Sequence, residues 1–304
     1  MTNVLVIGYG SIGIRHARIL SEIGCAVTVV SRRKLDGPKQ YQTLEEAVQK
    51  EKPSYAVIAT ETIEHERTFL GLGEAGFKGT VLVEKPLFYA SSVLAAQPFE
   101  KVFVAYNLRF HPALQKLKNA LRGERVLSAQ VYVGRYLPAW RPETDYRSGY
   151  SARKNAGGGV LRDLSHELDY IYWMLGSWKR VTASGGHFSH LEIDSDDIYG
   201  LMIETQNCPL VLLQMNYLDR LGRREVVINT DQHTFKVDLV NGKFFQDKTE
   251  ESFPIERDDT YRAEHEAILK KDFQSLCTFE EGMDIVRFVE AAERGSENKI
   301  WVER

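Results

Sequence analysis

The sequence predicts two α/β domains, the first on a parallel sheet and the second on strands of another kind. Three observations predict this. Up to residue 107, short and almost wholly apolar segments alternate with helical ones, the pattern of a parallel sheet covered on both faces. After Asn107, longer segments alternate apolar with polar residues, so each has one buried face. The chain has 304 residues, enough for two separate cores. The expected domains are residues 1–107 and 108–304.

Val4–Ile7 is the first apolar strand, and Gly8-Tyr9-Gly10-Ser11-Ile12-Gly13 follows it. Ile12, Ala17, Ile19, Leu20 and Ile23 then recur at helical spacing, and Gly24 can close that helix. Gly8 permits a tight turn, Gly10 a close approach of backbone to a pyrophosphate, and Gly13 close packing of helix on strand. The helix start at Ser11, Ile12 and Gly13 offers N–H groups and partial positive charge to phosphates. The plainer alternative is a structural glycine bend. A strand before, a helix after and the alternation beyond favour a dinucleotide-binding turn.

Ala26–Val30 is the second strand. An acid that binds a ribose 2′-hydroxyl normally stands at its end; here the text is Ser31-Arg32-Arg33. A hydroxyl and two guanidiniums suit a 2′-phosphate, which favours NADP, with NAD as the alternative. Against this stands a merely solvated basic loop. Thr43 and Glu46 form a capping box for the next helix. Tyr55–Ala59, Thr80–Val83 and Lys101–Ala105 complete the parallel set. Thr60, Glu61, Glu84 and Asn107 fall at or just past carboxyl ends of these strands, and His65 lies a few residues on, where open α/β sheets bind ligands.

In the second half, Leu127–Leu137, Val181–Phe188, Ile198–Glu204, Leu210–Tyr217, Glu225–Thr230 and Thr234–Val240 read as alternating strands, with turns at Gln206-Asn207 and Asn241-Gly242. A helix is expected over Gly159–Leu175. Leu161, Leu164, Leu168, Ile171 and Leu175 form its apolar stripe, and Asp163, His166 and Asp169 centre on the opposite side. Helices over Tyr261–Leu276 and Phe279–Glu293 follow, the latter with a capping box from Thr278 to Glu281.

Composition narrows the function classes. With 43% hydrophobic and 27% charged residues and a net charge of -3, no basic field points to nucleic acid or membrane lipid. Cys25, Cys208 and Cys277 show no C-x-x-C pairing, which fits free thiols in a reducing compartment. No cationic segment precedes the apolar start and no run reaches the ~18 apolar residues of a membrane span, so a cytoplasmic location is expected. His111, His187, His190, His233 and His265 lack metal-like spacing and suit ordinary surface or core roles, and no metal is expected. His16 is expected beside the phosphates.

Five stretches, in this order, carry a resemblance: GYGSIG (Gly8–Gly13), VIATETIEHE (Val57–Glu66), VLVEKPLF (Val81–Phe88), VAYNLRFHPALQKLK (Val104–Lys118) and GGGVLRDLSHELDYIYWMLG (Gly157–Gly176). Together they resemble the Gfo/Idh/MocA oxidoreductases over nearly the whole chain. The resemblance implies an N-terminal Rossmann domain and a C-terminal α/β domain on a large, open, mostly antiparallel sheet. One sheet face carries helices; the other commonly joins a neighbouring subunit, which implies a homodimer or homotetramer.

In such enzymes the lysine of Glu-Lys-Pro works with an aspartate and a histidine of the helix. Lys85, Asp163 and His166 match them. Many members place the last two residues four apart; here they stand three apart. A bacterial subgroup with Asp-Leu-Ser-His-Glu-Leu-Asp, as here, is linked to surface-glycan sugars. By resemblance Thr60, Glu61, His65, Glu84, Lys85 and Asn107 line the cofactor site, with Arg109 a weaker candidate, and the Lys85–Pro86 peptide is expected to be cis.

Oxidising a secondary alcohol removes a hydride from carbon and a proton from oxygen. Imidazole titrates near neutral pH and suits the base, while an ammonium can stabilise the developing alkoxide. The expected roles are His166 as base, Lys85 as electrostatic partner and Asp163 as orienter; Lys85 and His166 could exchange roles. The long loop Arg135–Gly159 holds aromatic, arginine and lysine side chains that suit a sugar with anionic substituents. Trp140, Tyr146, Arg153 and Lys154, with Lys85 and His166, are its candidate substrate contacts, against an oligomer contact as the alternative. The expected activity is NAD(P)-dependent hydride transfer at a hydroxyl or keto carbon of a sugar, amino sugar or nucleotide sugar. Two alternatives stand beside it: a non-catalytic dinucleotide-binding regulator, and a redox-assisted sugar lyase or hydrolase with tightly bound NAD.

Overall fold

The computed structural model describes residues 1–94, 98–140 and 143–304. In chain order, β1 (Asn3–Ile7), α1 (Ser11–Glu22), β2 (Ala26–Val30), β3 (Lys39–Tyr41), α2 (Leu44–Glu51), β4 (Tyr55–Ile58), α3 (His65–Glu74), β5 (Thr80–Val83) and β6 (Lys101–Val104) come first. Next are α4 (Pro112–Ala120), β7 (Val126–Gly134), α5 (Val160–Asp163), α6 (His166–Leu175), β8 (Trp178–Gly186), β9 (Ile198–Thr205), β10 (Val211–Asn216), β11 (Arg223–Thr230), β12 (Thr234–Asp238), β13 (Lys243–Gln246) and β14 (Thr249–Ser252). Last come α7 (Asp259–Lys270), β15 (Cys277–Thr278), α8 (Phe279–Asn298) and β16 (Val302–Glu303).

The chain divides into two compact units: Met1–Phe110 with Arg257–Val286, and His111–Glu256 with Arg287–Arg304. The expected boundary near residue 107 is close, but Arg257–Val286 groups with the first unit instead of the second. The reason is strand pairing and packing: β15 adds antiparallel to β6, and Ile268 and Leu276 enter the first unit's core.

The first unit is a seven-stranded sheet in the order β15-β6-β5-β4-β1-β2-β3, parallel except at β15. Its strands are apolar on both faces because both are covered. Val4, Val6, Tyr55, Val57, Leu82 and Phe103 pack with Leu20 of α1 and Ile268 of α7. A separate aromatic cluster joins Phe69 of α3 to Phe88 and Phe279. Thr43 caps α2 as expected, accepting from the Glu46 N–H at 3.3 Å. The three-residue β3 (Lys-Gln-Tyr), half-buried but for Lys39, carries no apolar run and is not legible in the sequence.

The second unit is a nine-stranded sheet in the order β14-β13-β12-β11-β7-β10-β9-β8-β16, antiparallel except for β7 with β10. Val211, Leu213 and Met215 of β10 are buried, whereas Leu212 and Gln214 face outward. The expected helix over Gly159–Leu175 is broken in two. Leu164 (φ -99°, ψ 25°) leaves α-helical geometry, and α6 starts afresh at His166 with Ser165 as its N-cap. The apolar stripe survives the break: Leu161, Leu164, Leu168, Ile171 and Leu175 are all buried. At the start of α8 the capping box is reciprocal: Glu281 accepts from the Thr278 N–H at 3.0 Å, and Thr278 Oγ1 from the Glu281 N–H at 3.2 Å. Among the described residues no helix is long and apolar enough to cross a membrane.

Candidate functional site

The glycine turn sits at the carboxyl end of β1, in the middle of the parallel sheet. Gly8 has φ 94°, and a Cβ there would run into the Ala59 carbonyl. A Cβ on Gly13 would collide with the Gly8 carbonyl oxygen, so helix and turn touch backbone to backbone. Gly10 differs: nothing lies within 4 Å of a Cβ placed on it. It is the N-cap of α1, with extended backbone (φ -84°, ψ -168°) and no side chain to accept from the first-turn N–H groups. Helix geometry leaves those groups without intrahelical partners. Ser11, Ile12 and Gly13 therefore open a helix whose first N–H groups, beside the open space at Gly10, can meet a phosphate.

Ser31 follows β2, whose Val30 is in register with Ile7, so it stands beside the glycine turn. Its Oγ accepts from the Arg33 N–H at 3.2 Å, and Gln40 donates to the Ser31 carbonyl at 2.9 Å. Arg33 is exposed, and the Arg32 side chain, 84% exposed, has its guanidinium 3.9 Å from the Glu64 carboxylate. After β4, the Thr60 hydroxyl is buried with no hydrogen-bond partner among the described residues, and Glu61 is exposed. An orphaned buried hydroxyl at this sheet edge fits a site meant for a polar ligand.

His65 is buried and spends its ring on backbone. Nδ1 lies 3.0 Å from the Pro86 carbonyl and 3.2 Å from that of Leu87, and Nε2 lies 3.2 Å from that of Thr60. Burial lowers its pKa. His65 thus lies between the segments after β5 and β4, and the single N–H of the neutral ring bonds one of them at a time. The Lys85–Pro86 peptide is cis, as expected. Glu84 is buried; its Oε2 accepts from the Lys85 N–H at 3.1 Å, and its Oε1 meets His16 Nε2 at 2.8 Å. Burial alone would raise its pKa, but the His16 bond and charge and Lys85 lower it on balance. Lys85 itself is half-buried.

His16 is wholly buried against Glu84 and His265, and of the surface and core roles open to His265 it takes the core one. Arg109 is also buried, donating to Glu281 at 2.9 Å and to the Leu276 carbonyl at 3.3 Å, so its charge is answered inside the unit. Asn107 donates to Thr260 Oγ1 at 2.7 Å, which ties the strand end to α7.

In the second unit Asp163 ends α5 and His166 begins α6, so the break at Leu164–Ser165 lies between them and a single helical face does not carry both. Asp169 is buried too, and not on a polar wall. Asp163 is buried and accepts from the Tyr217 hydroxyl at 2.6 Å. Burial and Asp163 hold the Tyr217 pKa well above the phenol value, so the hydroxyl stays a donor. Trp140 meets the Tyr217 ring edge-on at 5.3 Å. His166 is half-buried, and its neighbour Glu167 is pinned by Arg224 through bonds of 2.6 and 2.9 Å. No motif of the sequence singles out Tyr217. Its parity was the available signal: it extends the buried series Val211, Leu213, Met215, and a tyrosine on a core face needs a partner for its hydroxyl.

In the long loop, Trp140 donates to the Arg135 carbonyl at 3.1 Å and Tyr146 accepts from the Glu192 N–H at 3.3 Å. Arg153 and Lys154 are exposed, and the Lys154 N–H is held by Asp194 at 2.6 Å. Arg141 and Pro142 of this loop lie outside the described residues.

Residues 115–237 match the family model of the GFO/IDH/MocA C-terminal domain, and residues 3–52 match that of the pyridine nucleotide-disulphide oxidoreductases. No curated protein sequence matches the chain. Solved structures share the fold. GenD2 from gentamicin A biosynthesis, in complex with NAD, is 23% identical with a TM-score of 0.82, covering 100% of this chain and 96% of that one. Levoglucosan dehydrogenase in complex with NADH is 16% identical with a TM-score of 0.84, covering 99% and 98%. The WlbA dehydrogenase from Bordetella pertussis, in complex with NADH and UDP-GlcNAcA, is 16% identical with a TM-score of 0.80, covering 99% and 98%.

The turn makes a sharp prediction. Gly13→Ala should lower the melting temperature and abolish dinucleotide binding, because the methyl group meets a carbonyl oxygen. Gly10→Ala should leave the melting temperature within error yet weaken the dinucleotide by tenfold or more. Calorimetry and fluorescence titration read the two effects, and equal behaviour of the two variants contradicts the assignment.

Proposed function

We propose, on the premise that the C-terminal domain of this chain belongs to the Gfo/Idh/MocA family, that the protein is a nicotinamide-dinucleotide-dependent oxidoreductase of sugars. Its substrate class is a sugar, amino sugar or nucleotide sugar of the kind used in bacterial surface glycans, oxidised or reduced at a hydroxyl or keto carbon. The observation that carries this is the open cradle at Gly10 on the same sheet edge as Glu84 and Lys85. When bound, the nicotinamide supplies the two-electron acceptor for the hydride.

The chain's own residues supply the rest. Gly8–Gly13 receive the pyrophosphate at the start of α1. Lys85 holds the reacting oxygen and answers its developing negative charge. His166 takes the hydroxyl proton, and Asp163, fixed by Tyr217, keeps a negative charge in place for the imidazolium that forms. Trp140, Tyr146, Arg153 and Lys154 belong to substrate recognition. The structures of GenD2 with NAD and of WlbA with NADH and UDP-GlcNAcA support this reading of cofactor and substrate class.

The test is a screen of sugars and nucleotide sugars with NADP and NAD, following the reduced nicotinamide. On the substrate found, Lys85→Ala and His166→Ala should each lower kcat by about 10²–10⁴-fold while the dinucleotide still binds. The double variant should lose little more than the worse single one. His166→Ala should also flatten the rise of kcat between acidic and neutral pH. Normal turnover and an unchanged pH profile in His166→Ala would remove this histidine as the base.

NADP is the proposed cofactor, from Ser31-Arg32-Arg33. Replacing both arginines with alanine should weaken NADP by roughly tenfold or more and leave NAD within about twofold. Equal losses for the two cofactors refute the preference.

The protein is further proposed to form homodimers or homotetramers through the open face of its second sheet. Met202 and Leu212 stand directly opposite one another there, 42% and 39% exposed. Met202→Glu with Leu212→Arg should halve the mass in sedimentation; an unchanged mass places the interface elsewhere.

A further inference from the structure

Four buried polar groups of the first unit form one line of hydrogen bonds. Glu84 Oε1 lies 2.8 Å from His16 Nε2, His16 Nδ1 2.8 Å from His265 Nε2, and His265 Nδ1 2.8 Å from the Tyr55 hydroxyl. Tyr55 opens β4 at the amino edge of the sheet, whereas Glu84 follows β5 at the carboxyl edge. The line therefore crosses the unit. His16 and His265 are 0% exposed and Tyr55 2%, a costly place for polar groups unless each has a partner.

Proton positions follow from the donors available. The Glu84 carboxylate only accepts, so His16 Nε2 carries a hydrogen. With both imidazoles neutral, Tyr55 donates to His265 Nδ1, His265 Nε2–H donates to His16 Nδ1, and His16 Nε2–H donates to Glu84. One added proton, on His16 Nδ1, reverses the bonds His16–His265 and His265–Tyr55. The bond from His16 to Glu84 keeps its direction in both states. Burial, then the charge of His16, keeps His265 from holding the added proton. Glu84 in turn holds the Lys85 N–H at 3.1 Å, so the line ends on the main chain of the proposed catalytic lysine.

We propose that His16, His265 and Tyr55 are positioning residues: they form a relay that shares one exchangeable proton and holds Glu84 as the anchor of Lys85. The consequence for turnover rests on the dehydrogenase reading above; the anchoring itself does not. The titratable and charged groups facing the relay are Lys85 and His65 beside Glu84, Tyr261 against His16 with Arg15 over the Tyr261 ring, and Glu264 and Cys25 near Tyr55.

The experiment compares His265→Leu, His265→Gln and Tyr55→Phe in the full chain. A glutamine amide can donate to His16 Nδ1 and accept from Tyr55, so it restores the line; leucine cannot. In ligand-free protein, the Lys85 amide resonance and the His16 ring nitrogens should shift in His265→Leu and return toward wild type in His265→Gln. In turnover, His265→Leu should lower kcat about tenfold and displace its pH profile, with dinucleotide Kd and sugar KM within threefold, and His265→Gln should recover kcat. Tyr55→Phe removes only the terminal hydroxyl and gives the same resonance readout should the leucine variant not fold. Unmoved Lys85 and His16 resonances in the folded variants overturn the relay. Shifted resonances in a protein that turns over no sugar uphold the anchoring and refute the dehydrogenase reading alone.

Discussion

The first unit depends on a contact that only a hydrogen atom can fill. Gly13 of α1 presses on the Gly8 carbonyl, and Gly8 presses on Ala59 past the end of β4. Backbone touches backbone across three successive elements, which fixes the height at which α1 begins over the sheet. That height leaves space at Gly10 and puts the first-turn N–H groups at the carboxyl edge. It also sets His16, one turn further on, level with Glu84. A side chain at Gly13 would lift the helix, and the cradle and the Glu84 bond would go with it.

Glu84 and Asp163, in different units, are built by the same rule. Each is a buried carboxylate held by a donor that can stay neutral: an imidazole for Glu84, a phenol for Asp163. Such donors satisfy the carboxylate by a hydrogen bond, to which the charge of His16 adds at Glu84. Arg162 with Glu293 and Arg224 with Glu167 follow the opposite rule, pairing full charges where α5, α6 and their neighbours only need to be fixed.

Legibility in the sequence followed the range of the interaction. Strands buried on both faces announce themselves as apolar runs, and the caps at Thr43 and Thr278 are local, so both were readable. The short β3, β13 and β14 take their stability from neighbouring strands, and runs of three or four residues leave too little local pattern to mark them. Leu164 and Ser165 fit a helical period, so the break between Asp163 and His166 is invisible to periodicity. The apolar stripe was correct because its leucines face the core on both sides of the break. Arg109 and His65 were recognised by their neighbours in a motif, yet their partners, Glu281 and the Pro86 carbonyl, lie in segments that sequence spacing does not connect to them.

His16 and His265 show this limit most clearly, being 249 residues apart and joined by one bond of 2.8 Å. Each alone is an isolated histidine on a helix, for which a surface or core role is the economical reading. Position within the helix carried more information than residue type. His16 adjoins Ala17 and lies near Leu20 on the buried side of α1, and His265 adjoins Glu264 and lies near Ile268 on the buried side of α7. A titratable side chain on a core-facing stripe must find a partner, and the partner must come from whatever packs on that stripe. Buried polar residues on two apolar stripes are thus a sequence-level sign that the stripes meet, and they can be sought in pairs before any coordinates exist.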